Sequence, residues 1–442
     1  MKPLCSFLSI AMAVLSAMST ACQTSHRLLL KNIDTTITTS PVFEKNFTGF
    51  ELYDPDQQKV IYAHNAGKYF NPASNTKLFT FYAALNILGD SIPALKYEFR
   101  EDSLIFRGTG DPSFLNADLY PNCNVFDFLK NTDANLYYTP QVKHANRYGP
   151  GWAWDDFNDY YATEKSEFPI YGNVARFYFN QKGAPPYIIP YYFSQSLVPD
   201  SNYSSSSVVH RREHENIFHY TMPTNDIRQE PKIVPFRHSS ELLVSLLADT
   251  LGRPVQLISE AIPLKTPQII YSLPADSLYK RMLQASDNFI AEHLLMLCAG
   301  VVADTLESRI AISYVKEHYL NDLQDELRWI DGSGLSRYNL FTPRSIVKLL
   351  EKIRHLVPEE RLYELLPEGG VSGTLIDYPI IDQPYIYAKT GALSNNYALS
   401  GYLITKSGKT LIFSFMNNNY VINDGMIKNE MRKVLENIYE LY

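Results

Sequence analysis

Apolar and polar positions divide this chain into three stretches of different character. In the first, Thr48-Gly-Phe-Glu-Leu-Tyr53 and Lys59-Val-Ile-Tyr62 alternate on either side of Asp54-Pro55-Asp56, which predicts a β-hairpin. It leads through Asn65 and Gly67 into Pro72-Ala-Ser-Asn-Thr-Lys77 and the apolar run Leu78-Phe-Thr-Phe-Tyr-Ala-Ala-Leu85. That run predicts a buried helix ending near Gly89. Between about 93 and 235 short β-like runs, such as Ser103-Leu-Ile-Phe-Arg107 and Phe177-Tyr-Phe179, alternate with turns, a proline-rich segment at 185–190 and aromatic clusters. Helical periodicity then returns at Ser240–Ala248, Ser277–Leu283, Asn288–Leu297, Leu306–Tyr319 and Pro343–His355, the last with Thr342 as N-cap. Tyr385–Gly391, Tyr397–Thr405 and Lys409–Met416 read as an antiparallel meander. A last helix at 424–441 carries Ile427, Met431, Val434, Leu435 and Ile438 on one face. The opening hairpin, the three late strands and this helix are expected to form one sheet with helices packed on it.

At 442 residues the chain exceeds one ordinary core, so more than one domain is expected. The pattern places a mixed helix-and-strand domain at 46–92 and 236–442, interrupted by a β-rich insertion at 93–235. Residues 22–45 are polar and irregular and suit a tether. Residues 1–21 read as an export signal: Lys2 is followed by an apolar segment from Leu4 to Met18 that is too short to span a membrane, then by small residues before Cys22. Lipidation of Cys22, ordinary signal cleavage and an uncleaved anchor all fit, and all three place the protein outside the cytoplasm. A net charge of −7 with dispersed carboxylates argues against a nucleic-acid partner. Cys5 leaves with the signal, and Cys123 and Cys298 then remain as the only possible disulfide pair; their spacing suggests neither a metal site nor pairing, and two separate thiols are expected.

Three short motifs carry chemistry. Ser74 and Lys77 are one helical turn apart, so the Oγ and Nζ atoms can meet. A serine hydroxyl needs a base, and an ammonium that loses its solvent can lose its proton and serve as one. Ser286-Asp287-Asn288 puts three short polar residues between two apolar helical runs. It reads either as a helix N-cap or as a second hydroxyl and an amide presented beside Ser74. Lys389-Thr390-Gly391 ends an apolar strand. It reads either as a solvated strand end or as a cation and hydroxyl that hold a substrate carboxylate, with Gly391 letting a ligand backbone approach.

In this order the motifs resemble those of penicillin-binding proteins and β-lactamases. The long separation of Ser74 from Ser286 resembles the D-alanyl-D-alanine carboxypeptidase/endopeptidase family of low-molecular-mass penicillin-binding proteins, which insert extra domains after the serine helix. Gly108-Thr-Gly-Asp-Pro-Ser113, Gly151-Trp-Ala-Trp-Asp-Asp156, Asp331-Gly-Ser-Gly-Leu-Ser-Arg337 and Pro367-Glu-Gly-Gly370 with Ser372-Gly-Thr-Leu375 resemble that family too.

The resemblance implies an α+β, β-lactamase/transpeptidase-like fold interrupted by the insertion. It implies hydrolysis of peptidoglycan stem peptides in the periplasm through an acyl-serine, with inhibition by β-lactams. Ser74 would be the nucleophile, Lys77 its base and Ser286 a proton relay. Asn288 would orient substrate, Lys389 and Thr390 would bind the terminal carboxylate, and the N–H groups of Ser74 and Ala392 would form the oxyanion hole. Asp156 reads as a contact to a stem-peptide amino group or as a plain surface carboxylate. No cofactor or metal is expected; His210, His214 and His219 with Glu213 and Glu215 could suggest a metal site, but on a strand His210 and His214 are too far apart to share an ion unless the chain turns. Membrane contact is expected only through a lipid on Cys22. Two other readings stand beside this one: a β-lactamase or esterase on the same fold, and a non-catalytic peptidoglycan-binding lipoprotein.

Overall fold

The opening hairpin consists of Phe47–Asp54 and Lys59–His64, paired antiparallel. In the computed structural model, which describes residues 27–141, 146–181, 184–200, 209–221 and 230–442, this hairpin ends a five-stranded sheet. The order is Ile386–Leu393, Asn396–Ile404, Thr410–Asn418, Phe47–Asp54, Lys59–His64, antiparallel throughout. Register places Phe50 opposite Phe415 and Leu52 opposite Phe413, so one face is continuously apolar. The helix Asp424–Leu441 covers that face with Ile427, Met431, Val434, Leu435 and Ile438. The hairpin, meander and final helix thus combine as their patterns predict.

These elements belong to the first of two compact units: the described residues up to Asn75, with Leu323–Glu326 and Leu340–Tyr442. The stretch read as a tether corrects the sequence-based expectation. Residues 27–39 are helical, and Leu29, Ile33 and Ile37, spaced four apart, are buried in the core of this unit with Phe43. The threonines that suggest an irregular segment are accommodated by back-bonding: Thr36, Thr38 and Thr39 each donate to the carbonyl four residues earlier, at 2.9, 2.6 and 2.7 Å. Residues 1–21 and Cys22 lie outside the described residues.

The second unit is Thr76–Asp322 with Leu327–Asn339. The helix Thr76–Ile87 is buried on nearly every side. It packs Phe81 edge-on to Tyr279 and Phe79 against Trp329. The helices Ala275–Gln284 and Asn288–Ala303 lie beside it in this unit, the second buried along most of its length. Among the described residues, the β-rich part contains one five-stranded and two three-stranded sheets. The larger runs in the order Val255–Leu257, Asn135–Tyr138, Ser103–Gly108, Ser91–Arg100, Gln268–Pro274. It therefore draws strands from beyond residue 235, the boundary suggested by the return of helical periodicity. The helix Ser240–Leu251 packs within the same core as those strands, through Leu243, Leu246 and Leu247. Cys123 is exposed, Cys298 is buried, and both are free thiols.

Candidate active site

The chain passes from the first unit to the second between Asn75 and Thr76, inside the Ser-x-x-Lys motif. In the first unit, Ala73–Asn75 forms a single 3-10 turn. Asn418 Oδ1 accepts the Asn71 N–H at 2.7 Å, and Asn71 Oδ1 accepts the Ala73 N–H at 3.0 Å. Ala73 is held at φ 47°, a left-handed conformation rare for a residue with a side chain. Asn75 is wholly buried and donates to the Lys389 carbonyl at 2.8 Å. The turn bearing Ser74 is therefore bonded to the strand bearing Lys389, Thr390 and Ala392.

Gly391 explains how close that approach is. A β-carbon there would stand 2.5 Å from the Pro72 carbonyl oxygen and 3.1 Å from the Asn75 nitrogen. The sequence suggests that Gly391 admits a ligand backbone; the structure shows the chain's own serine turn in that space. Lys389 is fully buried, and its Nζ donates to the Thr390 carbonyl at 2.8 Å. Thr390 donates to the Thr374 hydroxyl at 2.7 Å, which brings in the Ser372–Leu375 segment. Ala392 is exposed and pairs with Tyr397.

In the second unit Lys77 is fully buried. Its Nζ donates to Asn288 Oδ1 and to the Ser333 carbonyl, both at 2.6 Å. Burial lowers its pKa from 10.5 to about 8, while the negative charges of Asp331, Asp287 and Glu292 act in the opposite direction. The Ser286-Asp287-Asn288 motif divides its labour. Asp287 caps the following helix, accepting the Ile290 N–H at 3.0 Å. Asn288 meets Lys77 and donates its Nδ2 to the Tyr161 carbonyl at 2.9 Å. Ser286 stands just before the cap at φ 57°. The N-cap reading of this motif thus holds for Asp287.

The loop 331–336 supplies contacts that residue types alone do not reveal. Glu292, one turn after Asn288 on the same helix, accepts the N–H groups of Gly332 and Ser333 at 2.9 and 2.8 Å. Its other oxygen lies 3.6 Å from Lys165 Nζ. Asp331 accepts from Gly334 N, Asn339 Nδ2, Ser336 N and Trp152 Nε1 at 2.6 to 2.9 Å. Thr80, on the helix of Lys77, donates to the Gly332 carbonyl at 2.7 Å. Trp152 and Asp331 lie in the segments 151–156 and 331–337, so both patches act on one loop, and that loop presents the Ser333 carbonyl to Lys77. Asp156 is half-buried and accepts the Tyr161 hydroxyl at 3.0 Å. Tyr161 is thereby bonded to both Asp156 and Asn288.

A desolvated amine is equipped to act as a base in acyl transfer, and comparisons with known proteins give the family. The sequence profile of the D-Ala-D-Ala carboxypeptidase 3 (S13) family matches residues 29–439. D-alanyl-D-alanine carboxypeptidase DacB of Haemophilus influenzae is 24% identical, with 93% of this chain and 94% of that protein aligned. Penicillin-sensitive carboxypeptidase A of Dictyostelium discoideum is 23% identical, covering 84% and 82%. The crystal structure of penicillin binding protein 4 (dacB) from Haemophilus influenzae superposes with a TM-score of 0.73 at 22% identity, over 92% of this chain and 99% of that one.

Proposed function

Because the chain belongs to the D-Ala-D-Ala carboxypeptidase 3 (S13) family, we infer that it is a serine-type D-alanyl-D-alanine carboxypeptidase/endopeptidase that acts on peptidoglycan stem peptides and is inhibited by β-lactams. The observation that carries the chemistry is Lys77, fully buried and with its pKa lowered to about 8, three residues after Ser74.

In this proposal neutral Lys77 takes the Ser74 Oγ proton as the oxygen attacks the carbonyl between the two D-alanines. The Ser74 and Ala392 N–H groups hold the developing oxyanion, one such donor being worth about 3 kcal/mol of barrier. The bond to the terminal D-alanine breaks, and its amine takes a proton relayed through Ser286. Water then attacks the acyl-serine, releasing the shortened stem peptide and restoring the Ser74 hydroxyl. Asn288 orients Lys77 as well as substrate, an assignment supported by the 2.6 Å bond. Lys389 and Thr390 receive the terminal carboxylate. Asp156, braced by Tyr161, is assigned to a stem-peptide amino group. The segment after the serine helix, home of the five-stranded sheet Val255–Leu257 to Gln268–Pro274, is assigned to shaping which stem peptides are accepted.

We also propose that the protein works in the periplasm, exported by the 1–21 segment and anchored by a lipid on Cys22. The mass of the mature N-terminal peptide tests that anchor, and an unmodified or absent Cys22 overturns it. The activity is tested by digesting pentapeptide muropeptides and reading the products by mass spectrometry. Loss of one D-alanine and opening of cross-linked dimers are expected. Rapid cephalosporin turnover with neither product would overturn the assignment in favour of a β-lactamase.

A further inference from the structure

Sequence spacing argues against His210 and His214 sharing an ion, and the fold keeps them apart: His214 lies in the turn, with Nε2 3.9 Å from Glu213. Across the sheet the arrangement differs. Val209–Arg211 and Phe218–Tyr220 pair antiparallel with His210 directly opposite His219. The two imidazoles stack with centroids 5.2 Å apart and planes 17° from parallel. On the other side of Phe218–Tyr220 runs the parallel strand Leu197–Pro199, followed by Asp200, whose N–H donates to the Tyr220 carbonyl at 2.9 Å. Asp200 Oδ2 lies 3.8 Å from His219 Nδ1.

A cross-strand aromatic pair alone needs no ligand to explain it. The third group changes the reading. One donor atom from each of Asp200, His210 and His219 lies within 4.8 Å of the other two, and each residue sits on or just after a different strand. All three are half-buried, shielded yet reachable from solvent. Two imidazoles and one carboxylate are a donor set for a borderline divalent cation of the zinc class rather than for Mg2+ or Ca2+, which prefer oxygen. Around a four-coordinate ion with bonds of about 2.0–2.1 Å the ligand atoms stand about 3.3 Å apart. The observed spacings reach that value with side-chain rotations of roughly an ångström.

We propose that Asp200, His210 and His219 bind one zinc-class divalent cation, which ties the three strands of this sheet together and leaves a coordination position to water. Arg212 donates its Nε to His219 Nε2 at 3.1 Å, so the neutral ring carries its proton on Nδ1, and binding the cation through Nδ1 requires the ring to release Arg212 and move that proton to Nε2. Arg212 also pairs with Glu215 at 3.5 Å, a partner it retains if the ring turns. None of these residues belongs to the proposed peptidase machinery.

The test is calorimetric titration of ZnCl2 into the full purified chain after dialysis against a chelator, with thermal unfolding as a second readout. One Zn2+ per chain is expected, with a rise in Tm. Asp200→Asn and His219→Ala should each weaken binding about tenfold or more, His214→Ala should leave it unchanged, and D-alanine release should be unaffected in all three. Asp200→Asn is nearly isosteric and guards against loss of fold. Absence of stoichiometric binding, equal binding by the Asp200 and His219 variants, or equal binding of Mg2+ would overturn the proposal.

Discussion

The Lys77 ammonium makes the account quantitative. With a pKa of about 8 in place of 10.5, the neutral fraction at pH 7 rises from roughly 0.0003 to roughly 0.1, a gain of about 300-fold. Only the neutral amine can take the Ser74 proton, so acylation by a β-lactam should rise about tenfold per pH unit below pH 8 and level off above it. Asp287→Asn offers a directed perturbation. An asparagine retains the oxygen that caps the helix at Ile290 but removes a negative charge that stabilises the Lys77 ammonium. A carboxylate in this environment contributes on the order of 1 kcal/mol at an effective dielectric constant of about 20–40, or roughly 0.7 pK unit. The acid limb should therefore move to lower pH by about that much, and acylation at pH 6 should be several-fold faster in the variant than in the native enzyme. Stopped-flow fluorescence with a labelled penicillin across pH 5–10 measures both. A limb near pH 10, or a variant slower at pH 6 with its limb unmoved, would refute the assignment of Lys77 as the base.

Other outcomes follow from the same geometry. Since the folded pKa of Lys77 lies below its unfolded value, the unfolded chain binds more protons, and this group's contribution to stability rises with pH between about 8 and 10.5. The rise is up to about 3 kcal/mol; urea unfolding should show it in the native enzyme and not in Lys77→Met. Asp331→Ala strands four donors, and denaturation should show a loss of more than about 3 kcal/mol, whereas Trp152→Phe removes one of the four and should lose about 1–2. Gly391→Ala pushes a methyl into the Pro72 carbonyl and should slow acylation at least about tenfold with a smaller effect on stability, read as penicillin labelling against Cm. Ile33→Ala opens a cavity under the 27–39 helix and should lose about 2–4 kcal/mol, whereas an unpacked tether would lose nothing.

Much of this was legible because pattern and packing agree. Phe50, Leu52, Phe413 and Phe415 alternate in sequence and share one face in the sheet. Three motifs at helix starts and a strand end suggest the acyl-serine chemistry of the family to which the chain belongs. What stayed hidden has specific causes. Leu29, Ile33 and Ile37 are a stripe one residue in four wide, and intervening threonines masked its helical period. Ser286 and Asp287 have side chains suited to the same cap, so only the backbone tells which one caps and which takes the left-handed turn. Asn75 in the first unit, and Glu292 and Asp331 in the second, bond to partners distant in sequence, and no local pattern encodes a bond from Asn75 to Lys389 or from Asp331 to Trp152. Asp200 meets His219 for the same reason, by strand order rather than by spacing.

The central claim is that Ser74 carries the acyl group. Intact mass after brief exposure to benzylpenicillin, followed by peptide mapping, tests it directly. The account predicts one penicilloyl adduct on the peptide containing Ser74 and none in Ser74→Ala. An adduct on any other residue, or one that persists in that variant, would contradict it.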